Sequence, residues 1–195
     1  MTPGAREAIL AATERLLRER RLSELSVGDI IAAAAISRTS FYAHFGSRSA
    51  VLAACLRRVV DELAIAVDPF VSATQDDPAG AIRVSLERWV ALAQAHGPLL
   101  RTASEEWPHD PQLRELWFAI IAAFSAGTAT AIERARRSGA APGGADAEAL
   151  ATCLMWGYER VLHVSLVGDA LGLPEPEAII EPLAQMMVAG VFGRG

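Results

Sequence analysis

Lysine is absent from this 195-residue sequence, and all eighteen basic residues are arginine. With 15 Gly, 10 Pro and abundant Ala, this reflects the composition of a GC-rich genome, and no mechanism is read from it. There are two cysteines, Cys55 and Cys153, too few for a disulfide framework. Both fall in apolar helical patterns and are expected to be buried free thiols of a reducing cytoplasm. His96, His109 and His163 are scattered, and no pair has the i, i+4 spacing of a metal-binding helix. No Gly-rich phosphate loop and no nucleophile elbow occur. These absences argue against an enzyme and against any metal or cofactor. The cluster Glu105, Glu106, His109, Asp110 is the best candidate for a polar site, but it straddles a proline break and reads as a solvated loop.

Alternating Val/Ile/Thr runs bounded by turn residues are also missing, which excludes a β-rich fold. The longest uncharged stretch, Leu116–Ile132, falls short of a confident membrane span and contains Ser125, Gly127, Thr128 and Thr130. A buried core helix is expected there, and no membrane partner. The first residues are polar and lead straight into a helical pattern, so no secretory leader is expected.

What is present is helix. Hydrophobic residues make up 52% of the chain, and much of that fraction is alanine, the strongest helix former. Ile9, Ala12, Leu16 and Leu17 recur at helical spacing and predict a helix over about 4–20. Ser26 and Ser37 are N-caps for two short helices, ending near Ala34 and His44. Ser47 opens a fourth helix that should end before Pro69. Further helices are predicted over about 79–95, 97–107, 111–138, 145–167 and 175–192. The expected fold class is all-α with about nine helices, comprising an N-terminal helix-turn-helix domain over 1–48 and a helical body over 49–195.

Net charge is -5, unfavourable for a nucleic-acid binder taken as a whole. Its distribution is uneven. Residues 1–60 carry nine Arg against five acids, whereas residues 61–195 carry nine Arg against eighteen acids. A basic head on an acidic body fits a DNA-binding domain joined to one that does not bind DNA.

The most informative segment is Ser26–Leu52, SVGDIIAAAAISRTSFYAHFGSRSAVL. Two short helices joined by a three- or four-residue turn have the dimensions of a helix-turn-helix. The second helix of that motif lies in the major groove with its N-terminal residues at base edges. Ser37, Arg38, Thr39 and Ser40 place hydrogen-bonding groups in that first turn. Arg pairs bidentately with guanine, and Ser or Thr reaches bases or phosphates.

The run Phe41, Tyr42, His44, Phe45, followed by Ser47 and Arg48, closely resembles the signature of the TetR family of bacterial regulators. The resemblance implies that Arg38, Thr39 and Ser40 face bases while Ser37, Tyr42, His44 and Arg48 hold the DNA backbone. One departure is Ala35, where the family usually has Gly in the turn.

A looser resemblance continues through Glu115–Trp117, Gly139–Pro142 and Ala151–Leu162, which look like the ethionamide-resistance repressor branch of that family. That branch implies a homodimeric repressor that leaves a double-stranded palindromic operator when a hydrophobic small molecule enters an apolar channel. Trp89, Trp107, Trp117, Phe118, Ile121, Phe124, Met155, Tyr158 and Met187 are the expected effector-binding residues. In that branch the positions of Met155 and Tyr158 carry amides, so a different effector is implied. The apolar residues Leu150, Leu154, Val161, Val164, Ile179, Leu183, Met186 and Val191 of the last two helices are too many to expose on a monomer, and the family pairs these helices across a two-fold axis. The alternatives are a helical small-molecule-binding protein whose helix-turn-helix no longer binds DNA, and a ligand-dependent activator.

Overall fold

The computed structural model describes residues 4–72, 77–167 and 175–193. Among these residues there are nine α-helices, two short 3-10 helices and no strand. The helices are α1 (Ala5–Leu17), α2 (Val27–Ala34), α3 (Arg38–His44), α4 (Arg48–Ser72), α5 (Pro78–Ala95), α6 (Gly97–Glu106), α7 (Pro111–Arg137), α8 (Ala147–Val167) and α9 (Ile180–Phe192). The 3-10 helices are Leu22–Glu24 and Pro176–Ile179, and the second leads directly into α9. The all-α expectation is met nearly helix for helix. The turn expected at 168–176 lies largely outside the described residues.

Two boundaries differ from expectation. α4 continues past Pro69 to Ser72. A proline removes one backbone donor, and close to a helix end that loss is small compared with a mid-helix break. The last predicted helix begins as a 3-10 turn at Pro176, a position where a missing N–H is harmless.

The chain forms two compact units. The first comprises Met1–Val60 and His96–Trp117, and the second Asp61–Ala95 and Phe118–Gly195. In the first, α1 packs on α2, α3 and α6. Ile9, Leu10, Leu22, Leu25, Ile30, Phe41, Val51, Leu52 and Leu56 are fully buried there. Arg15 donates to the Ala33 carbonyl at 2.9 Å, fastening α1 to the end of α2. Cys55 is buried as expected, and desolvation pushes its thiol up to about 12, leaving it unreactive at neutral pH.

In the second unit α5 runs closely along α9. Arg83 pairs with Glu181 at 3.0 Å, and Gln94 donates to Glu177 at 2.6 Å. α8 buries Ala147, Ala151, Tyr158, Glu159, Leu162 and Ser165, with Ala151, Tyr158 and Ser165 seven residues apart on one face. Cys153 lies off that stripe and is exposed, contrary to the expectation that both thiols are buried. Three residues expected on an outward apolar face, Ile179, Leu183 and Val191, are instead buried within the unit. Leu150, Leu154, Val161 and Val164 are half-buried, and Met186 is 58% exposed. α7 is long and apolar enough to cross a membrane by length and composition. Yet Ser125, Thr128, Ala129 and Ile132 are buried along it, as in the core helix of a folded domain.

Candidate nucleic-acid interface and ligand-binding body

The turn between α2 and α3 is built from its caps. The Ser26 hydroxyl accepts from the Asp29 N–H at 3.1 Å, and the Asp29 carboxylate accepts from the Ser26 N–H at 2.7 Å. This is a reciprocal capping box. The Ser26 hydroxyl also donates to the Asp29 carboxylate at 2.6 Å, and the two Ser26 bonds to that carboxylate, with Arg20 at 3.3 Å, hold the Asp29 carboxyl at about 2. α2 ends at Ala35 with φ 53° and ψ 44°, a left-handed residue. The turn therefore keeps the conformation for which glycine is best suited, with alanine accepting the strain. Ser37 then caps α3 by accepting from the Ser40 N–H at 3.0 Å.

α3 is fixed by its aromatic side. Phe41 is fully buried and Phe45 nearly so, with ring centroids 6.3 Å apart. The Phe41 ring meets Tyr42 edge-on at 5.4 Å. With Phe41 and Phe45 turned inward, Arg38, Thr39, Tyr42 and His44 are exposed, and Ser40 is half-buried. The Arg38 guanidinium stands 5.5 Å from the Tyr42 ring centroid, and its Nη2 lies 3.5 Å from the Tyr42 hydroxyl. Along its length α3 thus presents a cation, two hydroxyls and an imidazole on a rigid apolar root.

Two members of the expected set are already engaged. The Ser37 hydroxyl belongs to its own helix cap. The Arg48 guanidinium donates to the carbonyls of Leu22, Ser23 and Leu25 at 3.0, 3.4 and 2.7 Å. Arg48 therefore clamps the 3-10 turn ahead of α2 to the start of α4. Sequence reasoning gave no hint of this, because the partners lie more than twenty residues away.

The nine residues expected around an effector fall into both units. Trp107 and Trp117 belong to the first, nearly parallel at 7° with centroids 6.4 Å apart. The Trp117 indole N–H is buried and has no hydrogen-bond partner. The other seven belong to the second unit. Ile121, Tyr158 and Met187 are buried, Trp89, Phe124 and Met155 are half-buried, and Phe118 is 48% exposed. The Thr128 hydroxyl contacts the Met155 sulfur at 3.8 Å, and Phe118 meets Trp156 at 5.5 Å. The Tyr158 hydroxyl donates to the Leu183 carbonyl at 2.8 Å, so this phenol ties α8 to α9.

Sequence reasoning also missed Glu159, a buried carboxylate in the middle of α8. A lone acid inside the apolar run ATCLMWGYERVL was the available signal. Among the described residues no group of three or more His, Cys, Asp or Glu is placed to hold a metal ion.

Comparison with known proteins agrees with this architecture. Residues 9–55 match the family described as bacterial regulatory proteins, tetR family. Residues 81–193 match the family described as transcriptional regulator EthR, C-terminal domain. The HTH-type transcriptional regulator EthR of Mycolicibacterium smegmatis is 31% identical over 186 residues, 95% of this chain and 85% of the relative. EthR of Mycobacterium tuberculosis is 32% identical over 187 residues, 95% of this chain and 86% of the relative. Among solved structures, SmeT, the repressor of the Stenotrophomonas maltophilia multidrug efflux pump SmeDEF, superposes with a TM-score of 0.76 at 24% identity, covering 94% of this chain and 88% of SmeT. The chain belongs to the TetR family of bacterial transcriptional regulators, with a helix-turn-helix head and a C-terminal region of the EthR type.

Proposed function

We propose that this protein is a cytoplasmic, homodimeric transcriptional repressor that occupies a palindromic operator and leaves it when a small hydrophobic effector binds its body. The observation that carries the proposal is the length of α3, along which Arg38, Thr39, Tyr42 and His44 are exposed while Phe41 and Phe45 are buried. Arg38, Thr39 and Ser40 contact bases, and Tyr42 and His44 contact the DNA backbone. Ser37 and Arg48 serve the same surface by fixing the chain around it. Residues 1–48 are the DNA-binding part and residues 49–195 the effector-binding and dimerising part. Two separate family matches support a two-part division, one over residues 9–55, reaching into the first turns of α4, and the other over residues 81–193.

A two-fold dimer pairing α8 and α9 with their symmetry mates sets two recognition helices about one helical turn, ~34 Å, apart along DNA. Effector binding to one head spacing in preference to another is coupled to DNA affinity by about 1–3 kcal/mol, and the coupling is reciprocal. No catalytic step, metal or cofactor is required.

A fluorescence-anisotropy titration against DNA from the gene's own upstream region, at two salt concentrations, tests the reading. Tight, sequence-selective binding that weakens steeply with salt is expected. Affinity equal to that for random DNA, across fragments selected from the whole genome, refutes it.

A further inference from the structure

Glu159 lies in the second unit with 8% of its surface exposed, and neither carboxylate oxygen accepts a hydrogen bond. Its charged neighbour is Arg160, whose Nη2 stands 3.7 Å from Oε2, beyond hydrogen-bond reach. The Arg160 side chain is itself 54% exposed and so offsets little of the burial. Desolvation outweighs that attraction and raises the Glu159 carboxyl above its ordinary value. A buried carboxylate without donors is costly, and folded proteins rarely keep one without a use.

Its surroundings define what is missing. Met155 and Glu159 are four residues apart and share a face of α8, and Ser125 and Thr128 are three apart and share a face of α7. The Thr128–Met155 contact sets the register of that pair. α7 and α8 follow one another across a short connection, the arrangement of antiparallel neighbours. One turn back from Thr128 on α7 then falls level with one turn on from Met155 on α8. Those positions are Ser125 and Glu159. The Ser125 hydroxyl is also buried and has no partner. A second unsatisfied polar group thus falls at the level of Glu159 on the preceding helix. The neighbouring Tyr158 hydroxyl cannot supply the missing donor, because it is spent on the Leu183 carbonyl.

Once ionised, a carboxylate only accepts hydrogen bonds, and a cationic donor beside it supplies those bonds and offsets the burial that otherwise favours the neutral acid. We infer that Glu159 and Ser125 form the polar end of a ligand site in the second unit, and that its ligand is an apolar molecule ending in a protonated amine.

This inference rests on the effector-binding reading above and narrows its ligand class. The test uses full-length protein without DNA and two matched probes, 4-phenylbutylamine and 4-phenylbutanol, in titration calorimetry. The amine should bind about tenfold or more tighter than the alcohol, the range of a hydrogen bond to a charged group. In Glu159→Gln, a near-isosteric change that removes a buried charge, the amine should fall to within about twofold of the alcohol, while the melting temperature shows that the fold is kept. Equal affinity for the two probes in the unaltered protein, no binding of the amine, or an amine preference that survives in Glu159→Gln overturns the inference. Operator titration with the amine present separates the two readings. Selective binding without DNA release supports the site while counting against the effector mechanism.

Discussion

At the residue scale the head carries one visible compromise. Ala35 sits at φ 53° because the turn between α2 and α3 requires a left-handed residue, and alanine meets that requirement at a cost of about 1 kcal/mol. Gly has no such penalty but gains freedom in the unfolded chain, which offsets part of the benefit. Ala35→Gly is expected to stabilise the protein by up to about 0.5 kcal/mol in urea denaturation. A loss of stability would mean that the Ala35 methyl makes a contact worth more than the strain. Asp29 gives a pH signature of the same region. Its carboxyl is held at about 2 by the two Ser26 bonds and then by Arg20, so its folded value is depressed. The stability it contributes is present above the ordinary Asp value and is lost as pH falls from about 4 towards 2. Asp29→Asn should flatten stability across that acid window, as followed by helicity on acid titration. An unchanged acid limb would place the acid-sensitive group elsewhere.

At the element scale, α3 shows which features sequence discloses and which it withholds. The caps Ser26 and Ser37 and the outward Arg38 and Tyr42 were legible, because capping and helical spacing act within a few residues. Arg48 was not. Its residue type and place suggested a phosphate contact, but its guanidinium goes to carbonyls of a 3-10 turn in distant sequence. Tyr158 and Glu159 were hidden for the same reason: only the folded α7–α8–α9 arrangement shows that the phenol is occupied and the acid is not. The apolar face of α9 was read in bulk, and the structure divides it into residues buried against the subunit and an exposed Met186. For α3 itself, the exposed cation is the sharpest test. Arg38→Ala removes a side chain that supports no buried contact, so the melting temperature should stay within about 0.5 kcal/mol equivalent. Operator affinity should fall by about 1–3 kcal/mol if Arg38 reads a guanine, with relaxed preference at one base position. Uniform weakening across sequences with a shallower salt slope would make it a phosphate contact instead.

At the scale of the whole molecule, the proposed repressor depends on two copies. A single seven-residue helix such as α3 touches too few bases to select a site in a genome, and a two-fold pair doubles the contacts at fixed spacing. The subunit leaves Leu150, Leu154, Val161 and Val164 half-buried on α8 and Met186 at 58% exposure on α9. These residues have the composition of an interface core rather than of a solvated surface. Because Met186 makes little use of its own subunit, Met186→Arg should leave the monomer folded while placing two like charges near the two-fold axis. Sedimentation should show a dimer for the unaltered protein and a monomer for the variant at micromolar concentration. Thermal stability should depend on protein concentration in the first case and not in the second. Operator affinity should fall with the dimer, since each half-site is then bound alone. If Met186→Arg remained dimeric and kept its operator affinity, the α9 face would lie outside the interface, and Met186 would have to be assigned another partner.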